Sequence, residues 1–157
     1  MTDRVRAVLL TPTNEILTIR REREGTPPYW VLPGGGVEPT DTSLEATLHR
    51  ELHEELAGTA DIHSLIHIVE EPNDRQFIYL ATITTWSTHD RSGPEFNDPT
   101  RGTYHLQPVP FTTSALTAID LKPTPVAELL QHCLRAGRSL YDLPDQRLSP
   151  GQSTILP

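Results

Sequence analysis

A run of three glycines followed by a strongly patterned helical segment is the feature that most constrains the fold of this chain of 157 residues. The glycines are Gly34–Gly36, and a short strand-like run of residues, 29–32, precedes them. Downstream, leucines recur at every fourth position, at Leu44, Leu48, Leu52 and Leu56. Leucines at this spacing form one apolar stripe along an α-helix. The pattern predicts a glycine loop that leads into a helix packed by its leucines against a core.

The ends of this helix also carry sequence signals. Thr42 is a good N-cap residue type, with Glu45 placed to complete a capping box, so the helix is predicted to begin near Thr42 or Ser43. Gly58 is a natural stop signal, and the helix is expected to end beside it.

Three glutamates lie almost side by side within the helical segment, at Glu51, Glu54 and Glu55. At about 100° per residue, Glu55 is displaced by about 40° from Glu51 and Glu54 by about 60° to the other side. All three carboxylates can therefore converge beside the leucine stripe. Mg²⁺ and Mn²⁺ prefer oxygen ligands, and a bound cation would relieve the repulsion between the acids. The alternative for a glutamate-rich helix taken alone is a solvated charged face.

The rest of the chain alternates strand-like and helix-like segments. Further strands are predicted at residues 5–10, 15–19, 62–69, 76–86 and 105–111, and a second helix at Thr124–Ala136. No linker divides the chain, so residues 1–139 are predicted to form one α/β layered domain, followed by a C-terminal tail at residues 140–157.

Composition narrows the possible functions. Charged residues make up 22% and hydrophobic residues 36% of the chain, as in ordinary globular domains. The formal net charge of −8 argues against binding of a nucleic acid polymer, which usually needs a basic face. No apolar run is long enough for a signal peptide or a membrane span, so the sequence predicts a cytoplasmic protein with no membrane contact.

The combination of glycines and ordered acids resembles the sequence box of the Nudix (MutT-like) hydrolase family. The run Arg50-Glu51-Leu52-His53-Glu54-Glu55 matches the core of the box fully, and Gly35 fills its first glycine. This chain departs from the box in three places. Asp41 replaces a glutamate, eight residues instead of seven separate Asp41 from Arg50, and Ala57 replaces the glycine that follows the acids. None of these departures removes a metal-binding carboxylate.

The resemblance implies a Nudix-type α/β/α sandwich with a mixed β-sheet between helices. It also implies that Glu54 and Glu55 are the main ligands of Mg²⁺ (or Mn²⁺), assisted by the carbonyl group of Gly35. Glu51 would be a further ligand, or the group that orients or deprotonates the attacking water. Arg50 would hold Glu51 and the glycine loop in place by charge-assisted hydrogen bonds.

Two further candidates come from loops. Some members of the family take another acid from a loop after the central strands, and Glu95 is the candidate here for metal binding or general base, with Asp98 as the weaker alternative. Arg20, Arg21 and Arg23 lie between the second strand and the glycines, and one or more of them could bind the terminal phosphates of a substrate. Arg20 is the leading candidate, because it leaves the strand nearest the site. The glycines Gly34, Gly35 and Gly36 would allow close approach of the backbone to a phosphate.

The resemblance implies hydrolysis of a nucleoside diphosphate linked to another group, with a nucleoside triphosphate, oxidised or not, cleaved to the monophosphate and pyrophosphate as the leading reaction. An ADP-ribose or sugar-nucleotide pyrophosphatase is the alternative within the family. A nucleotide-binding Nudix module without catalysis is a second class, but such modules commonly lose the glutamates that this chain keeps. The partner is thus a small-molecule nucleotide, and the sequence leaves open whether the protein is a monomer or a homodimer.

Overall fold

The computed structural model describes residues 1–87 and 103–148. These residues form a mixed sheet with helices on its two faces. The strands are β1 (Thr2–Leu10), β2 (Glu15–Arg23), β3 (Thr26–Val31), β4 (Gly34–Gly36), β5 (Ala60–Glu71), β6 (Asp74–Ile83), β7 (Thr103–Pro110) and β8 (Leu121–Lys122). The helices are α1 (Leu44–Leu56), α2 (Thr113–Thr117) and α3 (Thr124–Ala136), and one 3₁₀ turn follows at Leu140–Asp142.

The two strands at the centre of the sheet, β1 and β2, are paired only at one end. The strand order is β5-β6-β1-β2-β3-β8, while β4 pairs with β1 and β7 pairs with β2 outside that path. Strand β1 pairs in parallel with β6 along its whole length, but meets β2 only at its end, through Leu10 and Ile16. The beginning of β1 pairs instead with the three glycines of β4, with Arg6 opposite Gly34 and Arg4 opposite Gly36. The glycine segment is therefore a short strand rather than the predicted loop, because the start of β1 offers it free backbone partners.

Two hydrophobic clusters lie on opposite faces of the sheet. Helix α1 packs Leu48, Leu52 and Leu56, all fully buried, against one face. Helix α3 packs Val126 and Leu130 against the other. The leucine stripe of α1 thus enters a core as predicted, and the α/β/α sandwich is confirmed.

The ends of α1 lie close to the predicted positions but use other residues. Ser43, not Thr42, is the N-cap: its Oγ accepts a hydrogen bond from the amide of Ala46 at 3.0 Å. At the other end Ala57, not a glycine, adopts the left-handed conformation with φ of 49°, and its amide donates to the carbonyl of His53 at 2.9 Å. The predicted capping box from Thr42 was therefore wrong by one residue, since Ser43 offers the same hydroxyl chemistry one position later.

Part of the predicted tail, residues 145–147, lies on strand β5. The amide of Gln146 donates to the carbonyl of Leu65 at 2.8 Å, and the amide of Leu65 donates to Asp145 Oδ1 at 3.0 Å. Arg147 Nη2 also donates to the carbonyl of His63 at 2.9 Å. Since β5 ends the strand order, these contacts cover backbone groups of an edge strand where its pairing with β6 is irregular.

The expected strands are present with shifted ends, and α3 has the predicted bounds. Helix α2 was not predicted, because its five residues are too few to show a helical period. Within the described residues, no helix is long and apolar enough to cross a membrane.

Candidate active site

The glycines of β4 and the acids of α1 meet directly. The backbone amide of Gly34 donates a hydrogen bond to Glu55 Oε1 at 2.8 Å. Gly34 has φ of +149°, and a Cβ there would collide with the carbonyl oxygen of Val5. A Cβ on Gly35 would overlap the carboxylate of Glu51. Glycine is therefore required at both positions: at Gly34 by the pairing with β1, and at Gly35 by the closeness of the acidic side chain.

Arg50 is tied to the segment between β4 and α1. Its Nε and Nη2 atoms donate to the two carboxylate oxygens of Asp41, each at 3.0 Å, and Nη2 also donates to the carbonyl of Gly36 at 3.0 Å. Asp41 accepts further hydrogen bonds from the hydroxyl of Thr47 and from the amide of Glu38, both at 2.8 Å. The hydrogen bonds from Arg50 and Glu38 hold the pKa of Asp41 well below its usual range. The Asp41–Arg50 pair anchors the connecting segment, which is one residue longer than in the sequence box, and Arg50 still lies beside the acids.

The other side of the Arg50 guanidinium faces the acids. Nη1 lies 3.1 Å from Glu51 Oε1 and 3.4 Å from Glu54 Oε1. The hydrogen bonds that Arg50 donates to Asp41 raise the pKa of Arg50 well above its usual value, with a smaller contribution from the charge of Glu51. Arg50 therefore stays charged and lowers the repulsion between the neighbouring carboxylates.

Two of the acids are buried in a cavity of about 240 Å³. Glu51 is only 9% exposed and Glu55 only 7% exposed. The remaining wall of the cavity comes from the glycines and from four strands: Arg6, Ile19, Arg21, Val31, Gly34, Gly35, Gly36 and Tyr104. Burying two carboxylates is costly unless they are paired or bind a cation. The cavity therefore favours the binding of a positively charged group.

A family model described as the NUDIX domain matches residues 1–102 of the 157 residues. The chain belongs to the NUDIX family. The resemblance to the Nudix family that the acidic box indicated is therefore confirmed, and with it the expectation of an enzyme family.

Individual relatives of this NUDIX chain have different names. A protein of Bacillus subtilis (strain 168) named a putative 8-oxo-dGTP diphosphatase is 32% identical over 79 residues, which cover 49% of this chain and 50% of that protein. A human protein named diphosphoinositol polyphosphate phosphohydrolase NUDT4B is 32% identical over 74 residues, 45% of this chain and 39% of that protein. The chain thus matches half or less of the length of each of these two relatives.

A solved structure of a NUDIX hydrolase from Nitrosomonas europaea superposes on the chain with a TM-score of 0.65 at 17% identity, covering 94% of this chain and 95% of that one. At this identity the likeness shows the fold alone.

The donor chemistry of the NUDIX acids suits a hard divalent cation, since carboxylate and carbonyl oxygens line one cavity. Within residues 1–87 and 103–148, however, no three His, Cys, Asp or Glu side chains lie close enough to hold a metal ion together. The reason is visible in the contacts: Glu54 is turned toward Arg50, and Glu55 accepts from the Gly34 amide. Binding of a cation by Glu51, Glu54, Glu55 and the Gly35 carbonyl stays a prediction and requires these carboxylates to exchange partners.

The predicted phosphate-binding arginine is not part of this cavity wall. Arg20 lies over the ring of Trp30 and pairs with Glu22 on the other face of β2. Its neighbour Arg21 lines the cavity instead, where its Nη2 donates to the hydroxyl of Tyr104 at 2.7 Å. Alternation along β2 places adjacent side chains on opposite faces, so only one of the two arginines can face the acids.

Tyr104 and Arg6 were missed from the sequence, and Arg21 was ranked below Arg20. For Arg21 a signal existed, because it lies two residues after Ile19 and shares its face of β2. For Arg6 and Tyr104 no local signal existed, since their position at the cavity depends on strand pairing. The predicted residues Glu95 and Asp98 lie outside the described residues. His49 and His53 are exposed on α1, away from the cavity.

Proposed function

We propose that this chain is a metal-dependent hydrolase that cleaves a nucleoside diphosphate linked to another group. The leading substrate is a nucleoside triphosphate, oxidised or not, which is cleaved to the monophosphate and pyrophosphate. The observation that carries the proposal is the cavity in which Glu51 and Glu55 face the glycines of β4, with Arg50 fixed beside them.

NUDIX hydrolases generally use divalent metal ions. In this chain Glu51, Glu54 and Glu55, with the Gly35 carbonyl, would hold Mg²⁺ or Mn²⁺, which supplies charge neutralisation and a lowered pKa of bound water. The residues around the acids position the metal-binding groups. Arg50 holds Glu51 and the carbonyl of Gly36 at fixed distances, so that the acids stand where the glycine backbone can approach a diphosphate.

A proton acceptor for the attacking water is needed, and two groups of this chain are proposed for it. Glu51 is the first, because its buried carboxylate lies against Gly35 and is oriented by Arg50. Glu95 is the second, on the resemblance alone. Replacing each glutamate by glutamine distinguishes the two candidates. The variant that lacks the true base should lose the limb of the pH–rate profile that reports the pKa of that base.

Cationic side chains of the cavity are proposed to bind phosphoryl oxygens. Arg21 takes the place first given to Arg20, because it faces the acids and is held by Tyr104. Arginine suits this task through its planar set of donors.

The choice of triphosphate over the alternatives rests on the relative named a putative 8-oxo-dGTP diphosphatase. The relative named a diphosphoinositol polyphosphate phosphohydrolase extends the panel of compounds to be tried. ADP-ribose and sugar nucleotides remain the second candidate, as the sequence resemblance implies.

The test is a release assay on purified protein with nucleoside triphosphates, 8-oxo-dGTP, ADP-ribose, sugar nucleotides and a diphosphoinositol polyphosphate. Each compound is incubated with Mg²⁺, with Mn²⁺ and with EDTA. Metal-dependent turnover that is lost in Glu54→Gln and kept in His49→Gln, an exposed position on the same helix, supports the proposal. Binding of nucleotide without turnover of any compound would instead indicate a non-catalytic module.

A further inference from the structure

Arg6 is a partly buried arginine in β1 that donates hydrogen bonds to two uncharged groups. Its Nη1 atom donates to the carbonyl of Leu32 at 3.1 Å and its Nε to the side-chain oxygen of Gln76 at 3.3 Å. Both acceptors are neutral. Within residues 1–87 and 103–148, Arg6 forms no ion pair, and its Nη2 atom has no hydrogen-bond partner. A guanidinium in this state is an anion-binding group with donors to spare.

The position of Arg6 says where such an anion would lie. Arg6 and Val31 line both the carboxylate cavity and a second cavity of about 350 Å³ on the side of α3. Burial lowers the pKa of Arg6, while Glu55 and Glu51 act in the opposite direction from the carboxylate cavity. Arg6 therefore lies in the wall that the two cavities share, close enough to the acids for their charge to act on it.

The second cavity has room and polarity for the non-reacting part of a substrate. Gln76, which accepts from Arg6, lies in its wall, together with Lys122 of β8 and Glu71 of β5. The acids of α1 line the first cavity only. A diphosphate whose outer phosphoryl group lies at the acids would place its inner phosphoryl group, the one bonded to the organic half, beside Arg6.

We propose that Arg6 is a substrate-binding residue that donates, through Nη2, to the phosphoryl group that stays on the organic half of the substrate. The assignment rests on the proposed function. It predicts that Arg6 acts on substrate affinity more than on the chemical step. It also predicts that the monophosphate product binds Arg6 without metal, because that product keeps the recognised phosphoryl group.

The first test uses the unaltered protein in EDTA and follows the guanidinium Nε–H signal of Arg6 by NMR, assigned by its loss in Arg6→Lys. Deoxyguanosine monophosphate and adenosine monophosphate are the probes, and the two nucleosides without phosphate are the controls. A saturable shift of the Arg6 signal with either monophosphate and none with the nucleosides is expected. An unmoved signal with both monophosphates, or the same shift with a nucleoside, overturns the assignment.

The second test is kinetic. Loss of a hydrogen bond to a charged group weakens binding by about 10- to 100-fold, so Arg6→Gln should raise KM by that factor with kcat changed less than threefold. Arg6→Lys should recover part of the affinity. Arg4→Gln is the matched control, two residues earlier on β1. Arg4 pairs with Asp74 at 3.3 Å and does not line the carboxylate cavity, so this variant should leave KM unchanged.

The two tests separate this assignment from the proposed function. Unchanged KM in a folded Arg6→Gln enzyme overturns the role of Arg6 while turnover still supports the hydrolase. Equal losses of kcat in Arg6→Gln and Arg6→Lys, with a lowered melting temperature and no change in KM, identify a structural role and also overturn it. If the protein hydrolyses no compound, the proposed function fails, and the NMR titration still decides whether Arg6 binds the phosphoryl group.

Discussion

The substitution Gly35→Ala tests the link between the glycine strand and the acidic helix. A Cβ on Gly35 would lie 2.6 Å from Glu51 Oε2, with the rest of that carboxylate closer still. Ordinary contacts of a Cβ begin at about 3.4 Å, so the carboxylate must move by at least about 0.8 Å (3.4 − 2.6). Glu51 is buried and held by Arg50 at 3.1 Å, so it cannot swing freely into solvent.

A misplacement near 1 Å in a catalytic group costs about 100-fold in rate, or about 2.7 kcal/mol of transition-state stabilisation. We therefore expect kcat of Gly35→Ala to fall by about 100-fold with metal and substrate saturating. The measurement is steady-state turnover of the best compound of the panel, with the melting temperature as a check of folding. Gly36→Ala is the matched comparison, since a Cβ there meets nothing within 4 Å, and it should lose far less activity.

A double substitution tests whether the collision with Glu51 causes the loss of activity. If the damage is the collision with Glu51, adding Gly35→Ala to Glu51→Ala should cost almost nothing further, because the colliding carboxylate is gone. Additive losses in the double variant would refute the steric account. So would equal losses in Gly35→Ala and Gly36→Ala, which would point to a general need for glycine in β4.

Three other perturbations have defined outcomes. Asp41→Asn removes the charge that fixes Arg50 but keeps its shape, and it should lower activity or metal affinity by about 10- to 100-fold without loss of fold, as metal titration of turnover and circular dichroism will show. Asp145, whose pKa is lowered to about 2 by Arg147 and by the amide of Leu65, stabilises the fold in its charged form. Asp145→Asn should therefore cost about 1 kcal/mol in urea unfolding at pH 7, and the difference should shrink as the pH falls from about 4 toward 2. Burial raises the pKa of Tyr79 to about 12, so stability should fall as the pH rises from about 10 to 12, and Tyr79→Phe should flatten that limb of the unfolding curve.

Local pattern predicted the parts of the site that lie on one helix. The leucine spacing of α1 and the positions of Glu51 and Glu55 follow from the helical period alone, and both carboxylates face one cavity. The helix ends were predicted to within one or two residues, because Thr42 and Ser43 are chemically equivalent caps and only the backbone decides between them. The structure places Arg21, not the preferred candidate Arg20, at the cavity, because the sequence does not say which face of β2 will meet α1.

The sequence by itself determined the family, the acidic helix and the need for glycine before it, because these depend on neighbours within about 25 residues along the chain. Only the tertiary structure decided that β4 inserts beside β1, that Arg21 and Arg6 join the acids, and that the segment from Asp145 to Arg147 covers β5. These contacts join residues far apart in sequence, and each depends on strand register. Register is selected by the packing of the whole sheet against two helical layers, a sum of many small terms that no single stretch of sequence contains.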